Sequence, residues 1–297
     1  MKPPKFDYFA PDSLAEALAL LSEYGADATV LAGGQSLMPA LNFRLARPAV
    51  LIDINRVPGI NGIDAADGTL RIGAMTRQRD IEFSDVVLQH CPLMREAILQ
   101  VGHRQTRNRG TLGGSMAHLD PSAELPTVAM ATDATIHVAG PQGTRDIAMA
   151  EFPAGYMTPA IELDEMVTGV SFPDWPQGHG YCFNEFTRRH GDFAITSAAA
   201  LMTLDGAGAI NRISLTVSGV GPAPVRCNEA EAMLIGQRPD EDALRAVAET
   251  CRAIDAMADV HASSEYRQHL ASVMARRAMV AAAERAAAAG RSAGKGE

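Results

Sequence analysis

No Cys-x-x-Cys pair occurs in the 297 residues, and the four cysteines, Cys91, Cys182, Cys227 and Cys251, stand far apart. That scatter excludes a sequence-adjacent zinc or iron–sulfur motif. It leaves reduced, buried thiols as the simplest reading, in keeping with an expected cytoplasmic setting. Positive charge is also in short supply, with a formal net charge of −9. A nucleic-acid surface needs a clustered basic face, and the runs HRQTRNR (103–109) and TRRH (187–190) are too local to make one. No stretch approaches the ~18 apolar residues of a spanning helix, and the opening MKPPKFDYFAP has no apolar leader core. Neither a membrane span nor a signal peptide is expected.

The common catalytic signatures are missing as well. No GxGxxG follows a strand and opens a helix, and no GxxxxGK[ST] is present, which removes the Rossmann and P-loop readings. Gly219-Val220-Gly221 runs directly into Pro222 and reads as a structural turn. No GxSxG elbow supports a serine hydrolase. His118 and Asp120 lie close together but have no third ligand at metal spacing, so no metal site is expected.

What is present is a chain long enough for two domains, 47% apolar and 21% charged, as in globular proteins. Ser13 to Glu16 is a capping box, and Leu14, Leu18 and Leu21 then recur at helical spacing up to Gly25. A strand at 28–31 leads into Gly33-Gly34, and VLIDI at 50–54 supplies another, so the first ~55 residues form a small α/β unit. Short strands at 70–73 and 134–139 follow, with helices predicted at 76–82, 92–100 and 124–131. Residues 173–178 (PDWPQG) mark a boundary. Beyond it, strands at 181–186, 194–204 and 210–217 precede helices capped by Asn228 (with Glu231 closing a capping box), then at 240–257 and 264–289. The predicted domains are 1–176 (subdomains about 1–55 and 56–176) and 177–289, with 290–297 a disordered tail.

Two glycine pairs organise the chemistry. Gly33-Gly34 and Gly113-Gly114 each follow an apolar lead-in and precede a serine, with the second inside a loop expected over 110–126. Glycine loses much chain entropy on folding, so pairs survive where a backbone bends unusually or must be approached closely. Concave runs of N–H groups with a hydroxyl suit diphosphate oxygens. Two ordinary tight turns would produce the same pattern.

The residues then carry a resemblance. Ala32-Gly33-Gly34-Gln35-Ser36-Leu37 and Thr111-Leu112-Gly113-Gly114-Ser115 resemble the two flavin-binding loops of the medium subunits of the molybdenum hydroxylases, the xanthine dehydrogenase and carbon monoxide dehydrogenase family. AHLDPSAELP (117–126) is similar to the family's AHADPAAELP, and NRG before Thr111 and RRHGDFA after the boundary extend the match over the whole chain. The resemblance implies an α+β protein. A vanillyl-alcohol-oxidase (PCMH)-type FAD-binding domain of two α/β subdomains would precede a C-terminal domain with a three-stranded antiparallel sheet plus helices. It implies FAD held by Leu31, Ala32, Gly33, Gly34, Gln35, Ser36 and Leu37 on one side. Thr111, Leu112, Gly113, Gly114 and Ser115 would hold it on the other, with backbone groups of 32–36 and 111–115 on the diphosphate. Asp120, Glu124 and Val167 would be further contacts, with helix N-terminal capping the alternative role for the two acids.

Gln35 stands where many relatives carry His, and Ser115 where Asn is common. The segment 114–125 has no cysteine, against the extra iron–sulfur cluster of benzoyl-CoA-type relatives. Arg188 to Phe193 resembles the loop placed over the isoalloxazine, where cations would tune the flavin, or a solvated turn. The implied function is an electron-transfer subunit with no catalytic acid or base of its own. Electrons from a small [2Fe–2S] subunit, withdrawn from substrate at a large molybdenum-cofactor subunit, would pass through FAD to oxygen, NAD or a quinone. The implied assembly is a dimer of heterotrimers. The alternative is a stand-alone FAD-dependent oxidase, for which no acid/base pair stands beside the loops.

Overall fold

The computed structural model describes residues 1–293. The first unit contains β1 (Asp7–Phe9), α1 (Leu14–Tyr24), β2 (Ala28–Leu31), α2 (Leu37–Asn42) and β3 (Val50–Asp53). Its sheet is parallel, in the order β1-β3-β2. The Ser13 hydroxyl accepts from the Glu16 N–H to cap α1, which buries Ala17 and Leu21. The buried strand β3 ends at Asp53, two residues before Asn55.

The second unit opens with β4 (Ile63–Ala66) and β5 (Thr69–Gly73). Short helices α3 (Gln78–Glu82), α4 (Asp85–His90), α5 (Pro92–Ile98), α6 (Arg104–Arg109), α7 (Leu112–His118) and α8 (Glu124–Ala131) follow. Strands β6 (Thr135–Gly140), β7 (Gly143–Ala148), β8 (Pro153–Gly155), β9 (Thr158–Pro159) and β10 (Met166–Pro173) complete it. The antiparallel sheet runs β4-β5-β10-β6-β7. Its core gathers Leu70, Ile72, Leu112, Met116, Leu125, Val128 and Phe172, all essentially without solvent exposure.

The third unit is β11 (Gly180–Phe186), β12 (Thr196–Leu204), β13 (Ile210–Ser218) and β14 (Val225–Arg226), with α9 (Asn228–Leu234), α10 (Glu241–Thr250) and α11 (Ser264–Ala293). The three expected strands form one antiparallel sheet, extended by the two-residue β14. Side chains alternate across a strand, and β12 uses both faces. Ala199 and Leu201 join the core of the second unit, while Ala198, Ala200 and Met202 pack with the C-terminal helices. The Thr127 hydroxyl donates to Ser218 Oγ (2.7 Å) and the Ser214 hydroxyl to the Ala131 carbonyl (2.6 Å), fastening α8 to β13. Along α11, Ala271, Ala275, Ala278, Ala282 and Ala286 form a small-residue face at helical spacing. It lies so close to β11 that a Cβ on Gly180 would overlap the Ala282 carbonyl.

Three expectations are corrected. Residues 110–126 are not one loop, because Thr111 caps α7 and the glycine pair lies in that helix's first turn. Neither glycine has positive φ; a Cβ on Gly113 would run into Ala74, and one on Gly114 into the capping hydroxyl of Thr111. Asn228 is the first residue of α9, with Cys227 at the cap position. The Glu231 carboxylate serves elsewhere, accepting from the Leu215 N–H (2.7 Å) and from Arg226. Residues 290–293 continue α11 instead of forming a disordered tail; 294–297 lie outside the described residues.

Candidate functional site

The two glycine pairs meet in space. Gly33 packs on the backbone of Arg109 and Gly110, where an added Cβ would stand 2.9 Å from the Gly110 Cα. A Cβ on Gly114 would stand 3.7 Å from the Ala32 methyl. Between them lies a cavity of about 650 Å³, within the range that takes a cofactor-sized ligand.

The walls differ in their hydrogen bonding. Gly34 has φ +72°, so the loop after β2 turns left-handed. The N–H groups of Gly33, Gly34, Gln35 and Ser36 bond to nothing among the described residues. They form a run of free donors, the arrangement that binds anionic oxygens. On the opposite wall the N–H groups of residues 112–115 are occupied. The Leu112 N–H donates to the Thr76 carbonyl (3.1 Å) and the Gly113 N–H to the Ala74 carbonyl (2.8 Å). The Gly114 N–H donates to Thr111 Oγ1 (3.1 Å) and the Ser115 N–H to the Thr111 carbonyl (3.2 Å). Of the backbone N–H groups of 111–115 expected on the diphosphate, that of Thr111 is therefore the unbonded one among the described residues, the others being taken by Thr76, Ala74 and Thr111 itself. This wall presents glycine surface, the Thr111 N–H and the hydroxyl of Ser115, neither of the last two hydrogen-bonded among the described residues.

Buried polar groups complete the site. Gln78, 6% exposed, lines the cavity beside Gly110, and its Oε1 has no partner among the described residues. Glu124, the first residue of α8, is 5% exposed and faces the same space. Burial, reinforced by repulsion from Glu185 and Asp120, pushes its carboxyl up to about 8. Burial likewise raises Glu185 on β11 to about 7, and one of its carboxylate oxygens is unpartnered. A carboxyl kept neutral near pH 7 can donate a hydrogen bond as well as accept one. The Asp120 carboxylate accepts from the Ser122 N–H (2.8 Å), an Asx turn leading to α8.

The structure gathers most of the expected residues. Ala32, Gly33, Gly34, Gln35, Ser36 and Leu37 line one wall, and Thr111, Gly113, Gly114 and Ser115 the other. Asp120, Glu124 and Val167 lie around the same cavity. Leu31 borders a shallower recess on the outer side of the first loop, with Asp53, Asn55 and Arg109. Leu112 does not line the cavity; its side chain is in the main core, because one turn of α7 points it inward. From the 188–193 loop, Gly191, Asp192 and Phe193 reach the cavity, whereas Arg188 and Arg189 are exposed and do not. Arg189 pairs with Asp192 (3.0 Å), which itself lines the cavity.

Other lining residues carried no local sequence signal. Met75 and Gln78 lie around the start of α3, Gly102 and Thr106 before and within α6, and Met166 beside Val167. The basic run before Gly110 is structural: buried Arg107 pairs with Glu82 (2.8 Å) and donates to the Val101 carbonyl (3.0 Å).

This combination of fold and cavity has known counterparts. A family model described as the FAD binding domain in molybdopterin dehydrogenase matches residues 4–175, and one for the CO dehydrogenase flavoprotein C-terminal domain matches residues 181–282. The chain belongs to the FAD-binding medium-subunit family of the molybdenum hydroxylases, as an oxidoreductase subunit with FAD as its cofactor. It is 43% identical to the 6-hydroxypseudooxynicotine dehydrogenase complex subunit alpha of Paenarthrobacter nicotinovorans, covering 96% of this chain and 97% of the relative. It is 35% identical to the carbon monoxide dehydrogenase medium chain of Hydrogenophaga pseudoflava, over 97% of this chain and all of the relative. Among solved structures, carbon monoxide dehydrogenase from Hydrogenophaga pseudoflava superposes with a TM-score of 0.93 at 37% identity, covering 96% and 99% of the two chains. Quinoline 2-oxidoreductase from Pseudomonas putida 86 superposes with 0.92 at 33% identity, over 96% and 99%. The residues fit such a cofactor: free N–H groups on one wall match a diphosphate, and the cavity is of cofactor size.

Proposed function

We propose that this chain holds FAD between residues 32–37 and 111–115 and serves as the electron-transfer subunit of a cytoplasmic molybdenum hydroxylase. A small [2Fe–2S] subunit and a large molybdenum-cofactor subunit would be its partners, in a dimer of heterotrimers. The observation that carries the reading is the run of free N–H groups on Gly33, Gly34, Gln35 and Ser36 at the wall of the cavity. Bound FAD supplies the redox chemistry, exchanging electrons between the iron–sulfur side and a terminal acceptor such as oxygen, NAD or a quinone.

The chain's own residues position the cofactor. The 32–36 backbone binds the diphosphate, and the glycine face of α7 closes over it. Ser115 donates or accepts from the side, and Glu124, held neutral by burial, offers a donor inside the cavity. The oxidised organic substrate is met by the large subunit, so no general acid or base is required here.

The test is purification alone and with partner subunits. The isolated chain should release FAD, identified by mass, and its flavin should stay oxidised on addition of the complex's organic substrate. The assembled complex should bleach. Bleaching of the isolated chain would overturn the relay in favour of a self-sufficient oxidase, and a chain that takes up no FAD would overturn the site.

A further inference from the structure

The cavity's two walls come from distant parts of the chain, and no backbone hydrogen bond joins 32–37 to 109–115 among the described residues. A chain of side chains does join them. Asn55, just beyond β3, donates through Nδ2 to the Ala32 carbonyl (2.9 Å), at the foot of the first loop. The Asn55 Oδ1 accepts from the Arg77 guanidinium. Arg77 in turn donates through its other terminal nitrogen to the carbonyl of Arg109, one residue before Gly110.

Asn55 is itself fixed. Its N–H (2.9 Å) and its Nδ2 both donate to the Asp53 carboxylate, whose other oxygen accepts from the Tyr8 hydroxyl (2.7 Å). One orientation of the amide satisfies this set, because Ala32 and Asp53 offer acceptors while Arg77 offers a donor. Around Arg77, the Gln78 N–H donates to the Gly110 carbonyl (2.9 Å) and the Thr76 carbonyl accepts from Leu112 (3.1 Å). The segment is therefore anchored to the second wall from both sides.

We propose that Asn55 and Arg77 are positioning residues that set the distance between the two cofactor loops, a role that rests on the FAD reading of the cavity. Neither has to touch the cofactor. The guanidinium spans two acceptors at fixed separation, which a lysine ammonium, a single point donor, does not reproduce. Asn55 converts the end of β3 into a fixed reference for Ala32, so the free N–H groups of residues 33–36 are held against the glycine face of α7 at one spacing.

The test is a double-mutant cycle on the full chain, with FAD affinity measured on flavin-stripped protein and melting temperature recorded as a fold control. Asn55→Ala and Arg77→Met should each weaken FAD binding about tenfold or more, as expected for a lost charge-assisted bond. The double variant should be no weaker than the worse single variant by more than about twofold, because both break one linkage. Arg77→Lys should behave like Arg77→Met. Additive losses, full affinity in Arg77→Lys, or affinity falling only in step with the flavin-free melting temperature would each overturn the linkage. Wild-type protein that binds no FAD would instead sink the cofactor assignment on which it rests.

Discussion

Gly33-Gly34 and Gly113-Gly114 face each other across one cavity with opposite backbone states. The first pair leaves four consecutive N–H groups unbonded, whereas the second sits in a helix whose first N–H groups are all taken by Thr76, Ala74 and Thr111. Similar sequence therefore serves two ends. One loop is a donor surface; the other is a thin, rigid wall whose glycines let α7 lie against Ala74 on one side and the cavity on the other. On the proposed function, anion recognition falls mainly to the first wall, and the facing wall contributes shape and the Ser115 hydroxyl.

The largest effect should come from Gly33→Val. Its Cβ would enter the backbone of Arg109 and Gly110 and drive the walls apart. The neighbouring backbone cannot yield as the end of a flexible side chain would. FAD affinity should fall by at least about 100-fold, at the upper end of what removing one charge-assisted bond would cost, read as flavin-to-protein ratio after gel filtration. Gly113→Ala breaks the other side of the comparison differently. Its Cβ would collide with Ala74, costing about 1–3 kcal/mol of stability as overpacking. The flavin-free protein should melt several degrees lower, with flavin content lost only as the fold is lost. A Gly113→Ala protein of normal stability but without FAD would show that the second loop also binds through its backbone.

Much of this was readable from residues alone, and what was not has physical reasons. The strands at 181–186 and 210–217, the helix at 124–131 and the loop at Gly33-Gly34 are local patterns, and the structure places them where expected. The helix at 112–118 was hidden because Gly113-Gly114 reads as a break, and the approach of Ala74 to Gly113 and of the Thr111 hydroxyl to Gly114 explains glycine there. Leu112 lies inside the motif yet faces the core, since helical rotation, not proximity in sequence, decides direction. Gln78 looks like a solvated helix residue in TRQRDIE, and it is buried by Gly110, 32 positions later. The Asn55–Arg77 linkage joins four stretches of chain and leaves no spacing to detect.

Glu124 allows a test of intermediate size that bears on both walls at once. Its carboxyl rises from an ordinary 4.5 to about 8 on folding, mainly by burial. Between those values the folded state binds more protons than the unfolded one, so stability falls as pH rises through this window and is lowest above about 8. Glu185, raised to about 7, adds to the same slope. Glu124→Gln removes one titration and should raise the melting temperature of the flavin-free protein at pH 8.5 by roughly 3–6 °C while changing it little at pH 5. A gain of equal size at both pH values would mean that packing, not ionisation, is responsible.

The smallest effect separates the walls most directly. If the first loop binds through its backbone, its serine is dispensable: Ser36 is exposed, and its hydroxyl does not cap α2. Ser36→Ala keeps every N–H in place and should leave FAD affinity within about twofold, less than one neutral hydrogen bond is worth. On the facing wall the N–H groups of residues 112–115 are occupied, so the Ser115 hydroxyl and the Thr111 N–H are what remain for polar contact. Ser115→Ala should weaken FAD about three- to tenfold, the value of one neutral hydrogen bond. Ser115 caps nothing and is bonded to no other side chain among the described residues, so its melting temperature should hold. Titrating FAD into both flavin-stripped variants under one buffer measures the difference. Equal losses would mean that the walls share the diphosphate evenly, and a larger loss at Ser36 would reverse their assigned roles.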